Sequence, residues 1–316
     1  MKKSKKHFLV TGGTGFIGAA ICRMLIHKGH DVSIFDNNSR GNFDKIKDIR
    51  NKIKFIKGDI RNYKKLNISL KNVNAVIHLA YVNGTKYFYS KPVLVLDIAV
   101  KGILHIIEAC RKNKVKELFL ASSSEVYQTP NKIPTDEHEP LRIPNIFNPR
   151  YSYGGGKILT ELMGIHYGKK YFTKLIIFRP HNVYGPNMGY NHVIPEFTNR
   201  FIKMKKKENK FEIKGSGNET RSFIFIDDFV RAFDLILKKG KHLNIYNIGT
   251  DEEIKIGHLA LKVSKFFNKK IILRRIKIAK GSTKHRCPNI LKITKLGFKQ
   301  KYNLNLGLHK TIDWYS

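Results

Sequence analysis

Thr11-Gly12-Gly13-Thr14-Gly15-Phe16-Ile17-Gly18 is the stretch whose reading decides the fold. A short apolar run, His7 to Thr11, precedes it and reads as a strand. A helical pattern, Phe16 to Lys28, follows it, and a second strand, Asp31 to Asp36, closes the unit. Glycines at 12, 15 and 18 allow a tight turn and let backbone approach a pyrophosphate. The helix that opens at Phe16 and Ile17 offers free N–H groups and the positive end of its dipole to that anion. Asp36, at the end of the second strand, is placed to bind a ribose 2′-hydroxyl and to repel a 2′-phosphate, which favours NAD over NADP. Arg40, close by, argues the other way. The complete strand–loop–helix–strand–Asp context predicts a dinucleotide site; an ordinary glycine turn does not explain three glycines at this spacing.

Working outward, short apolar runs alternate with helical patterns, the signature of a doubly wound α/β parallel sheet. Further strands are expected at Ile53 to Lys57, Ala75 to Leu79, Leu118 to Ser122, Lys174 to Phe178 and, late in the chain, Leu243 to Ile248. Long helices are expected at Val93 to Asn113 and Tyr153 to Lys170. After Arg179 the texture changes, with Pro180, Gly185, Pro186, Gly189 and Pro195 in close succession. We expect residues 1–179 and about 225–250 to form the dinucleotide-binding domain. A smaller lobe of about 180–224 and 251–316 would bind substrate, and a cleft between lobes is the default ligand site.

A chain of 316 residues can bury a sizeable core. No apolar run approaches the roughly 20 residues of a membrane span, so no membrane partner is expected. The apolar stretch after the basic residues Met1 to Lys6 is too short for a signal peptide. Cys22, Cys110 and Cys287 are scattered without paired spacing, which fits the cytoplasm and argues against a disulfide framework or a metal site. The net charge of +36 raises nucleic-acid binding as a class. The lysines are spread over the chain rather than clustered with aromatics, however, so a lysine-biased composition is the preferred reading and no nucleic-acid partner is expected. The one dense run, Lys203 to Lys210, reads as an exposed helix end.

Two further motifs carry chemistry. Tyr153-Gly154-Gly155-Gly156-Lys157 sets a tyrosine and a lysine four apart, on one helical face. A tyrosine, with an ordinary pKa of about 10, becomes a usable base when an ammonium lies beside it. Three consecutive glycines in a helix need a reason, such as close approach of cofactor or substrate. Ser122-Ser123-Ser124-Glu125-Val126-Tyr127 follows a predicted strand, at the edge where open α/β sheets bind ligands. A serine there would hydrogen-bond a reacting hydroxyl near the tyrosine.

These segments resemble the extended short-chain dehydrogenases/reductases, specifically the NAD-dependent nucleotide-sugar epimerase/dehydratase family. The resemblance runs through His78-Leu79-Ala80, Arg179-Pro180-His181-Asn182-Val183-Tyr184-Gly185-Pro186, Gly215 to Phe223, Arg286 and Lys295-Leu296-Gly297-Phe298. It implies a Rossmann-like fold with a smaller C-terminal substrate lobe. Ser123 would be the catalytic serine, Tyr153 the base and Lys157 its partner. The cofactor would also touch Asn37, Asp59, Ile60, Leu79, Ala80, Tyr153, Lys157 and Pro180. Ser124, Asn182, Arg221 and Arg286 would hold a nucleoside-diphosphate sugar, arginine forks suiting phosphate. Pairing through the two long helices implies a homodimer. Three positions depart from the family pattern. Gly156 stands where serine is common. Ala99 stands where an asparagine normally supports the active-site helix, which implies local rearrangement. His181 is an unusual neighbour for Asn182, either touching substrate or nicotinamide or serving as a hydrogen-bonded structural histidine.

The implied first step is hydride removal at sugar C4, giving a 4-keto intermediate. An epimerase re-reduces it on the other face; a 4,6-dehydratase removes water across C5 and C6; a decarboxylase loses CO2 from a uronic acid. Glu125 bears on the choice, because it matches a dehydratase or decarboxylase glutamate that takes the C5 proton. Ser124, however, is not the dehydratase aspartate. Epimerase is the first reading and dehydratase or decarboxylase the second. A non-catalytic NAD-binding protein would show a broken Ser/Tyr/Lys set, and the set here is intact.

Overall fold

The computed structural model describes residues 5–205, 207–277, 281 and 283–316. Residues 1–4 of the basic N-terminal run and Lys206 of the lysine run lie outside them. Seven strands form one parallel central sheet: β1 (His7–Thr11), β2 (Asp31–Asp36), β3 (Ile53–Lys57), β4 (Ala75–His78), β5 (Glu117–Ala121), β6 (Lys174–Pro180) and β7 (Asn244–Ile248). Their order is β7-β6-β5-β4-β1-β2-β3. The middle strand β1 puts Val10 opposite both Ile34 and Ile77. Phe8, Leu9 and Val10 are all buried, as expected of a parallel strand covered on both faces. The chain reverses direction across the sheet between β1 and β4. Such a switch point opens a crevice at the carboxyl ends of the strands.

The connecting helices follow the sequence pattern. Helix α1 (Phe16–His27) buries Ala19, Ile21, Cys22 and Leu25. Helix α2 (Pro92–Lys112) begins with proline at its first position, where the missing N–H costs nothing. Helix α3 (Tyr151–Tyr171) packs along α2. Its start places Tyr153 within the first turn rather than in a loop. The expected helix end at the lysine run is found: Val193–Lys203 is helical, and a strand begins at Lys210.

By contacts the chain divides into two compact units. The first is Met1–Val126, Leu141–Arg179 and Phe233–Tyr246; the second is Tyr127–Pro140, Pro180–Ala232 and Asn247–Ser316. Residues 127–140, expected with the first domain, fall in the second unit for a visible reason. Thr135 N–H donates to Cys287 O at 2.8 Å, Asn289 N–H donates to Thr135 O at 2.7 Å, and Tyr127 Oη donates to Asn247 Oδ1 at 2.8 Å. Residues 225–232 and 247–250, also expected with the first domain, fall in the second as well. Within the second unit, Phe201 stacks on Phe211 with centroids 4.2 Å apart. Asp228, fully buried, accepts from the Tyr302 N–H at 2.8 Å and so ties down the C-terminal segment.

One ion pair locks the first unit internally. Glu161 on α3 and Arg179 on β6 are both buried and bonded through two contacts, 2.8 and 2.5 Å. Ser122 Oγ donates to the same carboxylate. Removing one partner would strand the other charge in the interior. Glu161→Ala is therefore expected to destabilise the chain by roughly 3–5 kcal/mol, read from urea midpoints; a loss below about 1 kcal/mol, the level of an exposed pair, would contradict the account.

Candidate active site

The site in the first unit is built from loops that follow β1, β2, β4 and β5, together with the start of α3. The glycine loop comes first. Gly12 has φ +72°, and a Cβ there would sit 2.8 Å from Ala80 N, so only glycine fits. Gly12 N–H donates to Phe35 O at 3.0 Å, closing the loop over the end of β2. The Thr11 hydroxyl lies 2.8 Å from His78 Nδ1 and accepts from Leu79 and Ala80 N–H at 3.2 Å, which brings Leu79 and Ala80 beside the glycines. Gly15 caps α1 without any side-chain hydrogen bond. The first-turn N–H groups, from Phe16, Ile17 and Gly18, have no acceptor within the helix by its geometry. This cradle fits a pyrophosphate.

Asp36 is buried at the edge of that cradle. Its carboxylate accepts from Thr14 N–H at 3.1 Å, Thr14 Oγ1 at 2.6 Å and Asn38 N–H at 2.9 Å. A carboxylate has about four acceptor positions, which leaves room for a ribose hydroxyl. Asn37 and Asp59 are joined at 3.0 Å. Two hydrogen bonds from the Arg61 side chain, above all, hold Asp59 down at about 2. Ile60 is buried under Gly102. Arg40, whose charge argued for NADP, donates to Asn83 O and covers the Tyr87 ring at 4.7 Å.

Ser123 follows β5 and leads into a 3-10 turn, Ser124–Val126, packed on α3. Ser123 Oγ accepts from Glu125 N–H at 3.2 Å, and Arg150 Nη2 lies 3.7 Å from Glu125 Oε2. Tyr153 is buried, stacked on Phe88 at 4.7 Å and set edge-on to Tyr81 at 5.1 Å. Lys157, one turn along α3, donates to Ala121 O at 2.7 Å. Its Nζ lies 5.9 Å from the Tyr153 ring centroid and 3.9 Å from that of Tyr81. Burial pulls Lys157 down to about 7, opposed by Glu161.

Gly156 has a different reason from the one expected. A Cβ at Gly156 would overlap the Tyr81 hydroxyl and lie 2.6 Å from Ala99 Cβ, so protein rather than ligand excludes a side chain there. Tyr81, Phe88, Arg150 and Glu161 were not singled out by the motifs. Glu161 had a signal in its spacing, four residues after Lys157, and Tyr81 in its place directly after His78-Leu79-Ala80 at a strand end.

The other expected residues lie in the second unit. Pro180 ends β6. Asn182, at φ +39°, donates to Ser222 O at 2.8 Å. Ser222 N–H donates to Arg286 O at 3.0 Å, so Asn182, Arg221 and Arg286 share one patch. Arg221 donates to Thr220 O at 2.7 Å and Thr283 O at 2.8 Å, and Arg286 donates to Thr283 Oγ1 at 3.0 Å. His181 is structural in its bonding: its Nε2 lies 3.2 Å from Asn247 Oδ1, in the network that also holds Tyr127. Among the described residues, no helix is long and apolar enough to cross a membrane, and no cluster of His, Cys, Asp or Glu is placed to hold a metal ion.

The family model described as NAD dependent epimerase/dehydratase matches residues 8–249. This chain belongs to the NAD-dependent epimerase/dehydratase family. NAD is its expected cofactor. A Methanocaldococcus jannaschii protein, provisionally named a UDP-glucose 4-epimerase, is 34% identical over 97% of each chain. The human dTDP-D-glucose 4,6-dehydratase is 29% identical over 98% of this chain and 90% of its own. The structure of Thermotoga maritima UDP-glucose 4-epimerase with UDP-glucose superposes with a TM-score of 0.88, at 26% identity and 98% coverage of both chains.

The depressed Lys157 has a measurable consequence. Between about pH 7 and the ordinary lysine value of 10.5, the folded chain holds fewer protons at this site than the unfolded one, so stability rises with pH across that window. Lys157→Met is expected to flatten the rise. Denaturant titrations from about pH 7 to about pH 10 check this; equal pH slopes in the two proteins would contradict it.

Proposed function

We propose that this epimerase/dehydratase family member is a nucleotide-sugar 4-epimerase. The observation that carries the choice is Arg150, 3.7 Å from Glu125. A carboxylate facing a buried guanidinium is a weaker base toward a carbon-bound proton. Glu125 therefore serves to fix the turn that carries Ser123 rather than to attack C5. The M. jannaschii relative, with its epimerase name, supports the same reading.

In this reading the glycine-loop N–H groups hold the pyrophosphate of NAD and Asp36 a ribose hydroxyl, while Leu79, Ala80 and Pro180 line the cofactor. Bound NAD supplies the hydride acceptor and, for the return, the donor. Ser123 Oγ holds the C4 oxygen of the sugar. Tyr153 Oη takes the proton from that oxygen, and the Lys157 ammonium beside it favours the phenolate. The same phenol returns the proton to the same oxygen once the sugar has turned. Asn182, Arg221 and Arg286 hold the diphosphate. Arg221 now bonds backbone carbonyls, and a diphosphate oxygen would compete for its guanidinium.

Tyr153→Phe is expected to lower turnover at least about 100-fold with little change in KM. Glu125→Gln should keep most activity. Products formed from UDP-, GDP-, CDP- and dTDP-sugars in deuterated water, read by NMR, should be inverted at C4 without solvent label. Deuterium at C5, with activity lost in Glu125→Gln, would instead support the 4,6-dehydratase reading, to which the human relative belongs. Full turnover in Tyr153→Phe would sink the mechanism.

We also propose a homodimer. Val93, Leu96 and Val100 form an exposed stripe on α2, with Val93 79% exposed, and Leu162 on α3 is 54% exposed. Such spacing suits packing against a second copy. Val93→Glu with Val100→Glu should convert the dimer to a monomer in ultracentrifugation; a monomeric parent protein would contradict the proposal.

A further inference from the structure

Tyr81 lies in the loop that leaves β4, and both of its ends are engaged with the start of α3. The face of its ring carries Lys157 Nζ, 3.9 Å from the centroid. The ring meets that of Tyr153 at 87°, with centroids 5.1 Å apart. Its hydroxyl occupies a notch between α2 and α3, bounded by Gly156 and by Ala99. Any side chain at Gly156 would displace the phenol oxygen. That oxygen is buried and has no hydrogen-bond partner among the described residues. Its place there is steric: it fills the notch and so fixes the ring under the ammonium.

We propose that Tyr81 is a positioning residue for the Tyr153/Lys157 pair, its ring holding the Lys157 ammonium and its hydroxyl keyed into the notch left by Gly156 and Ala99. The inference rests on the reading that Tyr153 and Lys157 transfer the proton. An ammonium over an aromatic face is attracted by the ring quadrupole, more strongly where water is excluded. The other groups facing Lys157 offer less. Glu161, on the same helix, is committed to Arg179 and Ser122. His78, on β4, is held neutral by burial, at about 3. Tyr81 itself is pushed up by burial and stays neutral. The Ala121 carbonyl accepts one Lys157 proton. Burial brings Lys157 to about 7, so near neutrality a small change in the ring's attraction alters how much of it is charged.

The test varies the ring's charge distribution at nearly constant shape within a phenylalanine series. Position 81 is filled with Phe, difluoro-Phe and trifluoro-Phe, and Tyr81→Leu completes the series. Lys157 is titrated by NMR in 13C-lysine-labelled, NAD-loaded protein without substrate, its resonance assigned by its absence in Lys157→Arg. The expected result is a stepwise fall of the Lys157 titration as fluorine drains the ring. Tyr81→Leu should lie roughly 0.5–1.5 units below the parent, and the alkaline limb of kcat should move down with it at unchanged KM. A Lys157 titration that stays at one pH across the fluorinated series overturns the proposal, whether or not Tyr81→Leu folds. If the titration moves while turnover does not, the ring contact stands and the functional reading of Tyr153 and Lys157 fails. Gly156→Ala should be destabilising, and adding Tyr81→Phe should recover part of the loss; a strictly additive pair would contradict the keyed notch.

Discussion

An ammonium buried in a protein must be held by something other than water, and Lys157 is such a group. The first unit is arranged around that constraint. Helix α3 has to lie close enough to the end of β5 for Nζ to reach the Ala121 carbonyl. The Glu161–Arg179 pair, with Ser122 added, ties the same helix to β5 and β6 one turn further on. Both attachments act on the strand end from which Ser123 and Glu125 emerge. The position of Tyr153 in the first turn of α3 is thus a consequence of where Lys157 and Glu161 are anchored. Replacing a buried ion pair by apolar groups is often neutral for stability. Here the pair fixes the direction of the helix that carries Tyr153 and Lys157.

Much of this was legible in the sequence because the relevant rules are local. Gly12 to Gly18 with Asp36 specified a strand, a loop, a helix and a second strand within the 30 residues from His7 to Asp36, and the structure closes that loop over β2 through Gly12 N–H and Asp36. Helical spacing put Tyr153 and Lys157 on one face, and the resemblance to the family, not the spacing, suggested their roles. What escaped the sequence depends on contacts between distant segments. Nothing local to Tyr81 shows that its ring will meet Lys157, 76 residues on. Arg150 has no motif, and its pairing with Glu125 follows from how the segment before α3 crosses the β5 turn. Gly156 was read as room for a ligand, whereas the space belongs to Tyr81.

Ala99 and Gly156 stood apart in the sequence reading, and Ala99 alone suggested local rearrangement. In the structure α2 and α3 remain continuous helices, and a Cβ at Gly156 would meet both the Tyr81 hydroxyl and Ala99 Cβ. A juxtaposition of this kind is invisible to single-position reasoning, because it depends on where the third side chain is placed. The same holds for His181, whose meaning comes from Asn247 and Tyr127 and not from its neighbour Asn182.

The central claim is that the buried Tyr153/Lys157 pair supports reversible removal of hydride from sugar C4. It is tested most directly by a single turnover with a nucleotide sugar deuterated at C4, following reduced-nicotinamide absorbance and the position of the label. The account predicts that deuteration slows the absorbance rise and that the deuterium is still on C4 in the inverted product. An equal rate for both isotopologues with no reduced nicotinamide formed, or loss of the label to solvent, would contradict it.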